Sequence, residues 1–191
     1  MVNGTLSEKL KSSTQTEHQE TEKLLVGRIK SIQSTEDYAN VLRIFYGYFA
    51  PVEKLIRQHI TESSLPDLNE RRNVSKIEDD LRLLGHDKPL EFSSVLPEIN
   101  NHYHAVGAMY VQEGSTLGGR HIARMISSKL ENASNALTFF QGYNEKTEEK
   151  WEQFKDFLNR NFATESEQHQ VIEGAKRTFE KMQTWILRSG N

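Results

Sequence analysis

The sequence contains no cysteine among its 191 residues. This absence excludes disulfide bonds, thiolate metal sites and cysteine nucleophiles. The formal net charge is only −3, so the chain has no overall positive field that would favour nucleic acid or an anionic membrane surface. The sequence also lacks an apolar run with the length of a signal peptide or a membrane span. We therefore expect a soluble, cytoplasmic protein that binds neither nucleic acid nor membranes.

Prolines are also scarce, with four in the whole chain, and alternating strand patterns are missing. Apolar residues instead recur at helical spacing almost throughout the sequence. A chain of this length is sufficient to enclose one core and sits within the size of one domain. We predict an all-α fold, a multi-helix bundle in which residues 1–191 form a single domain.

Capping residues and apolar stripes predict where the helices begin and end. Because proline cannot donate its backbone hydrogen bond, we expect a bend where one falls inside a helix. The expected elements are, in chain order, a helix from an N-cap at Ser7 towards Ile32, one that starts after Ser34-Thr35 and continues through Ile56 with a bend at Pro51, one capped by Asp67 and stopped at Gly85, a glycine-containing helix over about 97–130, a flexible connection around 132–144, a helix capped by Thr147, and a last helix behind the capping box of Thr164 and Glu167.

The fourth helical stretch contains Gly107, Gly114, Gly118 and Gly119. Each glycine costs about 1 kcal/mol relative to alanine inside a helix, so the set needs a physical reason. The spacing matches neither the dinucleotide-binding nor the P-loop motif, which makes a nucleotide site improbable. Gly107, Gly114 and Gly118 share one helix face, which permits either close helix packing or close approach to a flat ligand. The spacing alone does not choose between these two interpretations.

His18 lies on the apolar face of the first predicted helix, in register with Leu10, Thr14 and Leu25. A single histidine on such a face is more often a hydrogen-bonded core residue than a metal ligand. Lys11, two turns earlier, lies roughly 10 Å away along the same face at 1.5 Å per residue. The pair therefore indicates either an iron ligand with a cation for an anionic group of its ligand, or a core histidine with a solvated lysine.

Other candidate chemistry is weak. His102 and His104 are two residues apart and face different sides of a helix, so they do not form a metal site with the remaining histidines. The inward Glu-x-x-His pairs of a di-iron bundle are missing. Ser115 is not part of a Gly-x-Ser-x-Gly elbow, which makes it a poor hydrolase nucleophile.

Three separate segments resemble the haem oxygenase family, and the resemblance spans about residues 6–186. Leu6 to His18 is similar to the family's proximal helix, with leucines, lysine, threonine and histidine in matching positions. Tyr110 to Gly119 is similar to the glycine-rich distal helix of its bacterial members. Val171 to Phe179 is similar to a third family segment near the C-terminus. The resemblance implies that haem lies between a proximal helix and a kinked, glycine-rich distal helix.

The resemblance also implies roles for individual residues. His18 would hold the haem iron, with its other ring nitrogen oriented by an acceptor such as Glu22. The residues implied around haem b are, besides these two, Lys11 and Lys155 for the propionates, Thr14 and Phe179 in the matching segments, Gly114 and Gly118 against the distal face, and Tyr48 and Ser115 for distal water. Many members carry an aspartate at the position of Ser115, so the fixed negative charge of those members is missing here.

The function implied is a haem oxygenase that cleaves haem to biliverdin, carbon monoxide and ferrous iron. The reaction requires O2 and an external electron donor, for which a ferredoxin, a flavodoxin or a reductase would dock beside the haem edge. The replacement at Ser115 leaves a non-catalytic haem carrier or sensor as the alternative. Relatives of the same architecture that do not use haem, such as the thiaminase-like enzymes, usually rely on a cysteine, and this chain has none. A helical protein-interaction module is the remaining alternative.

Overall fold

The computed structural model describes residues 4–86 and 88–189. All regular elements in these ranges are helical, which confirms the predicted all-α class. The helices are α1 (Leu6–Ser13), α2 (Gln15–Lys30), α3 (Thr35–Ile56), α4 (Ser75–Leu83), α5 (His102–Lys129), α6 (Thr138–Gln141), α7 (Thr147–Asn161) and α8 (Glu165–Arg188), and short 3-10 turns cover Leu68–Glu70, Glu131–Ala133 and Asn144–Lys146.

The N-terminal helix predicted from Ser7 to Ile32 is two helices that meet at Thr14. The chain leaves helical geometry there, with φ −106° and ψ 8°, and the Thr14 hydroxyl donates to Leu10 O at 2.8 Å. Such back-bonding by threonine competes with the backbone ladder and favours a break. The N-cap is Thr5, which forms a capping box with Glu8, so the predicted cap at Ser7 was two residues late.

The prediction that Asp67 caps the third helix was wrong. That helix, α4, begins at Ser75, and it ends just before Gly85, whose φ of +72° suits glycine. Asp67 instead forms ion pairs with Arg71 at 3.0 Å and with Lys150 at 3.1 Å. The segment before α4 is therefore held by side-chain contacts to α7 rather than by helix formation.

Residues 132–144, predicted to be a flexible connection, pack into the core through α6. Phe139 and Phe140 are each 1% exposed. The Asp80 carboxylate accepts from Thr138 N at 3.0 Å and from Phe139 N at 2.9 Å. Aromatic burial and a carboxylate that satisfies the first backbone donors explain why this segment is ordered.

Helices α5 and α8 cross at the centre of the bundle, and their backbones touch. A Cβ on Gly107 would collide with Val171 O and lie 2.6 Å from Ala175 N, while one on Gly174 would lie 2.6 Å from His104 O. Glycine is required at both positions because any side chain would separate the helices. The capping box of Thr164 and Glu167 at the start of α8 is confirmed.

Helix α3 continues through Pro51 and is buried along most of its length, and the bend expected at this proline stays a prediction. In the described ranges, no helix has both the length and the apolar character of a membrane span.

Candidate active site

Helices α2 and α5 form two walls that both pack on α8. Gln183 of α8 donates to Glu17 O of α2 at 2.9 Å, and α5 meets α8 at Gly107. The walls are joined at one end by Lys129, which donates to Lys30 O at 2.5 Å. Towards the other end, burial raises the pKa of Tyr110 on α5, and the neighbouring Thr14 opposes this effect. His18 and Gly118 lie between these joints along their helices.

His18 is an exposed residue of α2, although its helix neighbours Thr14 and Thr21 are 2% and 4% exposed. Its ring meets the ring of Phe179 edge to face, with centroids 5.8 Å apart. Among the described residues, neither ring nitrogen of His18 has a hydrogen-bond partner. Glu22, one turn further on, is exposed and is not hydrogen-bonded to His18 within these ranges. The histidine is therefore free to accept a metal, and Phe179 fixes one side of its ring.

The two predicted propionate lysines differ in their surroundings. Lys11 is exposed on α1. Lys155 on α7 forms an ion pair with Glu152 at 2.8 Å, and its side chain is 31% exposed. An anionic ligand would have to compete with Glu152 for Lys155, whereas no described acidic residue pairs with Lys11.

The four glycines of α5 fall into two groups. A Cβ on Gly107 or Gly119 would collide with a backbone oxygen, of Val171 or of Phe140 respectively. A Cβ on Gly118 would meet nothing within 4 Å, and one on Gly114 would lie 3.7 Å from the Trp151 ring. Close helix packing therefore accounts for the first group, while Gly118 faces open space and α5 runs unbroken past it.

The Ser115 hydroxyl makes two hydrogen bonds within the protein. Its hydroxyl donates to Gln112 O at 2.7 Å and accepts from the Arg72 guanidinium at 2.6 Å. Arg72 is 8% exposed and also donates to Gln112 O at 2.9 Å. The ring of Phe139 lies 4.3 Å from the guanidinium carbon, within the range of a cation–π contact.

Arg72 belongs to a buried polar network behind α5. Arg71 forms an ion pair with Glu113 at 2.7 Å, and both side chains are 3% exposed. Tyr143 donates to Glu113 at 2.9 Å and accepts from Arg72 N at 2.8 Å. Burial and the neighbouring Glu113 raise the pKa of Tyr143, so its hydroxyl stays a donor. The network borders a cavity of about 20 Å³ lined in part by Glu53 and Gln112, which has room for one water.

The structure corrects the expected role of Tyr48. This side chain is fully buried, and its hydroxyl donates to Thr178 O of α8 at 2.5 Å. Burial raises its pKa well above the usual range. Its single proton is therefore committed to a backbone carbonyl next to Phe179, which leaves none to donate to a distal water.

Sequence reasoning missed three residues next to the distal glycines: Arg72, Tyr143 and Trp151. Trp151 falls in the helix predicted behind Thr147, and its ring borders Gly114 and lies 5.5 Å from the ring of Tyr110. Arg72 lies 43 positions before Ser115 in the chain. No local pattern connects residues so far apart, so spacing could not have indicated the contact.

A family model described as Heme oxygenase matches residues 4–188. The chain belongs to the haem oxygenase family. A relative described as a heme oxygenase, from Xanthomonas campestris pv. campestris (strain 8004), is 30% identical over 151 residues, which are 79% of this chain and 89% of the relative. The family membership confirms the enzyme class implied by the resemblance, which is haem degradation, and does not favour a non-catalytic carrier.

Two solved structures share the fold of this haem oxygenase family member. The NO- and CO-bound heme oxygenase of Neisseria meningitidis has a TM-score of 0.78 at 20% identity, covering 97% of this chain and 92% of that one. The heme oxygenase of Leptospira interrogans has a TM-score of 0.78 at 17% identity, covering 97% of this chain and 100% of that one. These likenesses confirm the architecture.

Proposed function

We propose that this haem oxygenase family member binds haem b between the α2 and α5 walls, with His18 as the iron ligand. The observation that carries this proposal is the exposed His18, whose ring nitrogens are free among the described residues. Across from it, α5 offers the open face at Gly118 and the 39% exposed side chain of Leu117. A free imidazole opposite an apolar, side-chain-poor face fits a flat, iron-containing substrate.

The residues around the substrate would fix its orientation. Lys11 is exposed and would pair with one propionate, and Lys155 would exchange its partner Glu152 for the other. Phe179 holds the His18 ring by its edge contact, and Glu22 would accept from the second ring nitrogen after a change of rotamer. Thr14 of the proximal side lies next to Tyr110 at this end. A fixed orientation exposes one edge of the porphyrin to attack.

The distal wall would provide shape and a proton path. Gly114 and Gly118 allow the α5 backbone to approach the substrate closely and exclude bulk water. Haem, when bound, supplies the iron at which O2 is reduced. Ser115 has an acceptor position left after its two hydrogen bonds and would hold a water on this side. That water would relay the protons consumed during ring opening.

The products would be biliverdin, carbon monoxide and ferrous iron. The reaction would consume O2 and electrons, and the electrons would come from an external donor such as a ferredoxin, a flavodoxin or a reductase. We propose further that residues 1–191 form a single domain, since the family match at 4–188 and the shared core both extend across nearly the whole chain.

The test is a haem titration of the purified protein, followed by addition of a reductant under oxygen. We expect a Soret band on haem binding, then its loss with the appearance of bilin absorption. His18→Ala should abolish turnover, and His169→Ala, at an exposed histidine of α8, is the matched control. Chromatography of the product identifies the biliverdin isomer. A stable Soret band under these conditions would instead support a carrier or sensor.

A further inference from the structure

The hydrogen bonds of Ser115 leave it only one way to interact with a further group. A hydroxyl has one proton and two acceptor positions. The proton is donated to Gln112 O at 2.7 Å, and one acceptor position receives the Arg72 N–H at 2.6 Å. The remaining position can only accept. A water bound to Ser115 must therefore donate one of its own hydrogens to it.

Arg72 is held in place from several sides. Its guanidinium donates to Gln112 O at 2.9 Å and to Phe139 O at 3.4 Å, and it stacks on the Phe139 ring. Burial lowers the pKa of Arg72, while Glu113 and Tyr143 oppose this effect. An arginine remains charged under such conditions. The side chain thus places a fixed cation one hydrogen bond behind Ser115.

We propose that Arg72 is a positioning residue that fixes the Ser115 hydroxyl as a hydrogen-bond acceptor and thereby orients the distal water towards the substrate. This inference rests on the proposed function, because it requires that Ser115 lies on the distal side of bound haem. If Arg72 were absent, the Ser115 hydroxyl could accept two waters or rotate away from Gln112 O. The orientation of the water would then no longer be defined.

The positive charge of Arg72 next to Ser115 should shift the pKa of a nearby acid in a direction that can be measured. Where many family members place an aspartate, this chain places a neutral hydroxyl backed by a guanidinium. A nearby positive charge favours the deprotonated form of an acid. The acid–alkaline transition of the ferric haem complex, in which the water on the distal side of the iron loses a proton, should therefore occur at lower pH with Arg72 than without it.

The experiment is a pH titration of the ferric haem complex by visible absorption. Arg72→Met should move the transition to higher pH by about one unit, since one neighbouring charge shifts a pKa by roughly that amount or more. Arg72→Lys retains the cation and should recover at least half of the shift. Arg71→Met is the matched control, because Arg71 is equally buried and binds Glu113 but does not contact Ser115. It should leave the transition unchanged.

A double-variant cycle tests whether Arg72 acts through Ser115. Ser115→Ala alone should raise the transition, and Arg72→Met added to it should contribute measurably less than in the wild type, because only the through-space effect of the charge remains. The circular dichroism melt of each haem-free variant verifies folding. If Arg72→Met does not fold, the same cycle is run with Arg72→Lys, whose smaller shift should vanish in the Ser115→Ala background.

Two results would overturn the proposal. The first is an equal shift in Arg71→Met and Arg72→Met, which would indicate a general structural effect. The second is an Arg72 effect that persists in full without the Ser115 hydroxyl. Either result, in a wild-type protein that binds and degrades haem, leaves the proposed function intact. A wild-type protein that takes up no haem would overturn the proposed function and this inference together.

Discussion

The two walls of the site are built by different means. The proximal wall, α2, exposes His18 and is tied to α8 by individual side-chain hydrogen bonds such as that of Gln183. The distal wall, α5, touches α8 backbone to backbone at Gly107 and is backed by the buried Arg71–Glu113 ion pair. The distal wall is therefore anchored by backbone contact and a buried ion pair, whereas the proximal wall is anchored by individual side-chain hydrogen bonds.

The glycines within α5 also differ in what surrounds them. Backbone atoms pack directly against Gly107 and Gly119, whereas Gly118 faces open space. Residues of the same type in one helix thus serve packing in one place and substrate access in another. Substitution of Gly107 and substitution of Gly118 by alanine should therefore change the free energy of unfolding in opposite directions.

The largest expected effect comes from removing a charge behind the distal wall. Glu113→Ala leaves the buried Arg71 with Asp67 as its remaining ion-pair partner, and breaking a buried pair costs about 3–5 kcal/mol. Glu20→Ala, at an exposed α2 residue, should change stability by less than about 0.5 kcal/mol. Urea unfolding of the haem-free proteins measures both. Equal losses would remove the distinction between the walls.

The glycines of α5 should separate stability from binding. Gly107→Ala forces α5 away from α8 and should destabilise the haem-free protein by about 2–3 kcal/mol. Gly118→Ala adds a Cβ in open space and should stabilise it by up to about 1 kcal/mol through helix propensity. Gly118→Leu should nevertheless prevent haem binding while helicity is retained. Unchanged haem affinity in Gly118→Leu would return this glycine to a packing role.

The joint between the walls should have a smaller effect. Lys129 donates to Lys30 O at 2.5 Å and to Ile32 O at 3.3 Å, which closes the end of α2. Lys129→Met removes these bonds, each worth about 0.5–1 kcal/mol, and should speed haem dissociation roughly two- to fivefold. Transfer of haem to an excess of apomyoglobin measures this rate. Arg124→Met, at an exposed position on α5, should leave the rate unchanged.

The smallest expected effect is the pH dependence of stability that His104 contributes near the start of α5. Burial lowers the pKa of His104 from its usual 6.5, although Glu173 and Glu98 oppose this, and Arg177 adds to the lowering. Below pH 6.5 the unfolded chain takes up a proton that the folded state resists, so stability is full above this pH and falls below it. The melting temperature should drop by a few degrees between pH 7 and 5. His104→Gln should show a smaller drop; an equal one would assign it to other groups.

Local sequence patterns predicted the helical class, the Thr164 capping box and the glycine anomaly in α5. These features depend on neighbours within one or two turns, which is the range that spacing reports. The break at Thr14 was not predicted, because a threonine in an apolar stripe is compatible with a continuous helix. The 132–144 segment was misjudged because its order comes from Asp80, more than fifty residues earlier.

The candidate site divides in the same way. His18, Lys11 and the glycines of α5 were singled out by helix-face spacing, and the resemblance to the family implied their roles. Tyr48 was assigned by position alone, and its hydroxyl is committed to Thr178 O. Arg72 was not found, because it fell inside the helix predicted from Asp67 and belongs to no motif that would single it out. Its contact with Ser115 exists only in the folded chain.

The crossing of α5 and α8 at Gly107 and Gly174 places no side chain between the two helices. Because this contact is made by backbone atoms, no smaller side chain could bring the two helices closer together. The crossing can therefore act as a pivot for α5. Gly118 lies eleven residues along α5, about 16 Å away at 1.5 Å per residue. A tilt of about 5° at the crossing would therefore move Gly118 by roughly 1.4 Å over this lever arm. Small rotations of α5 at this buried crossing would thus set how closely the distal wall approaches the plane of a bound haem.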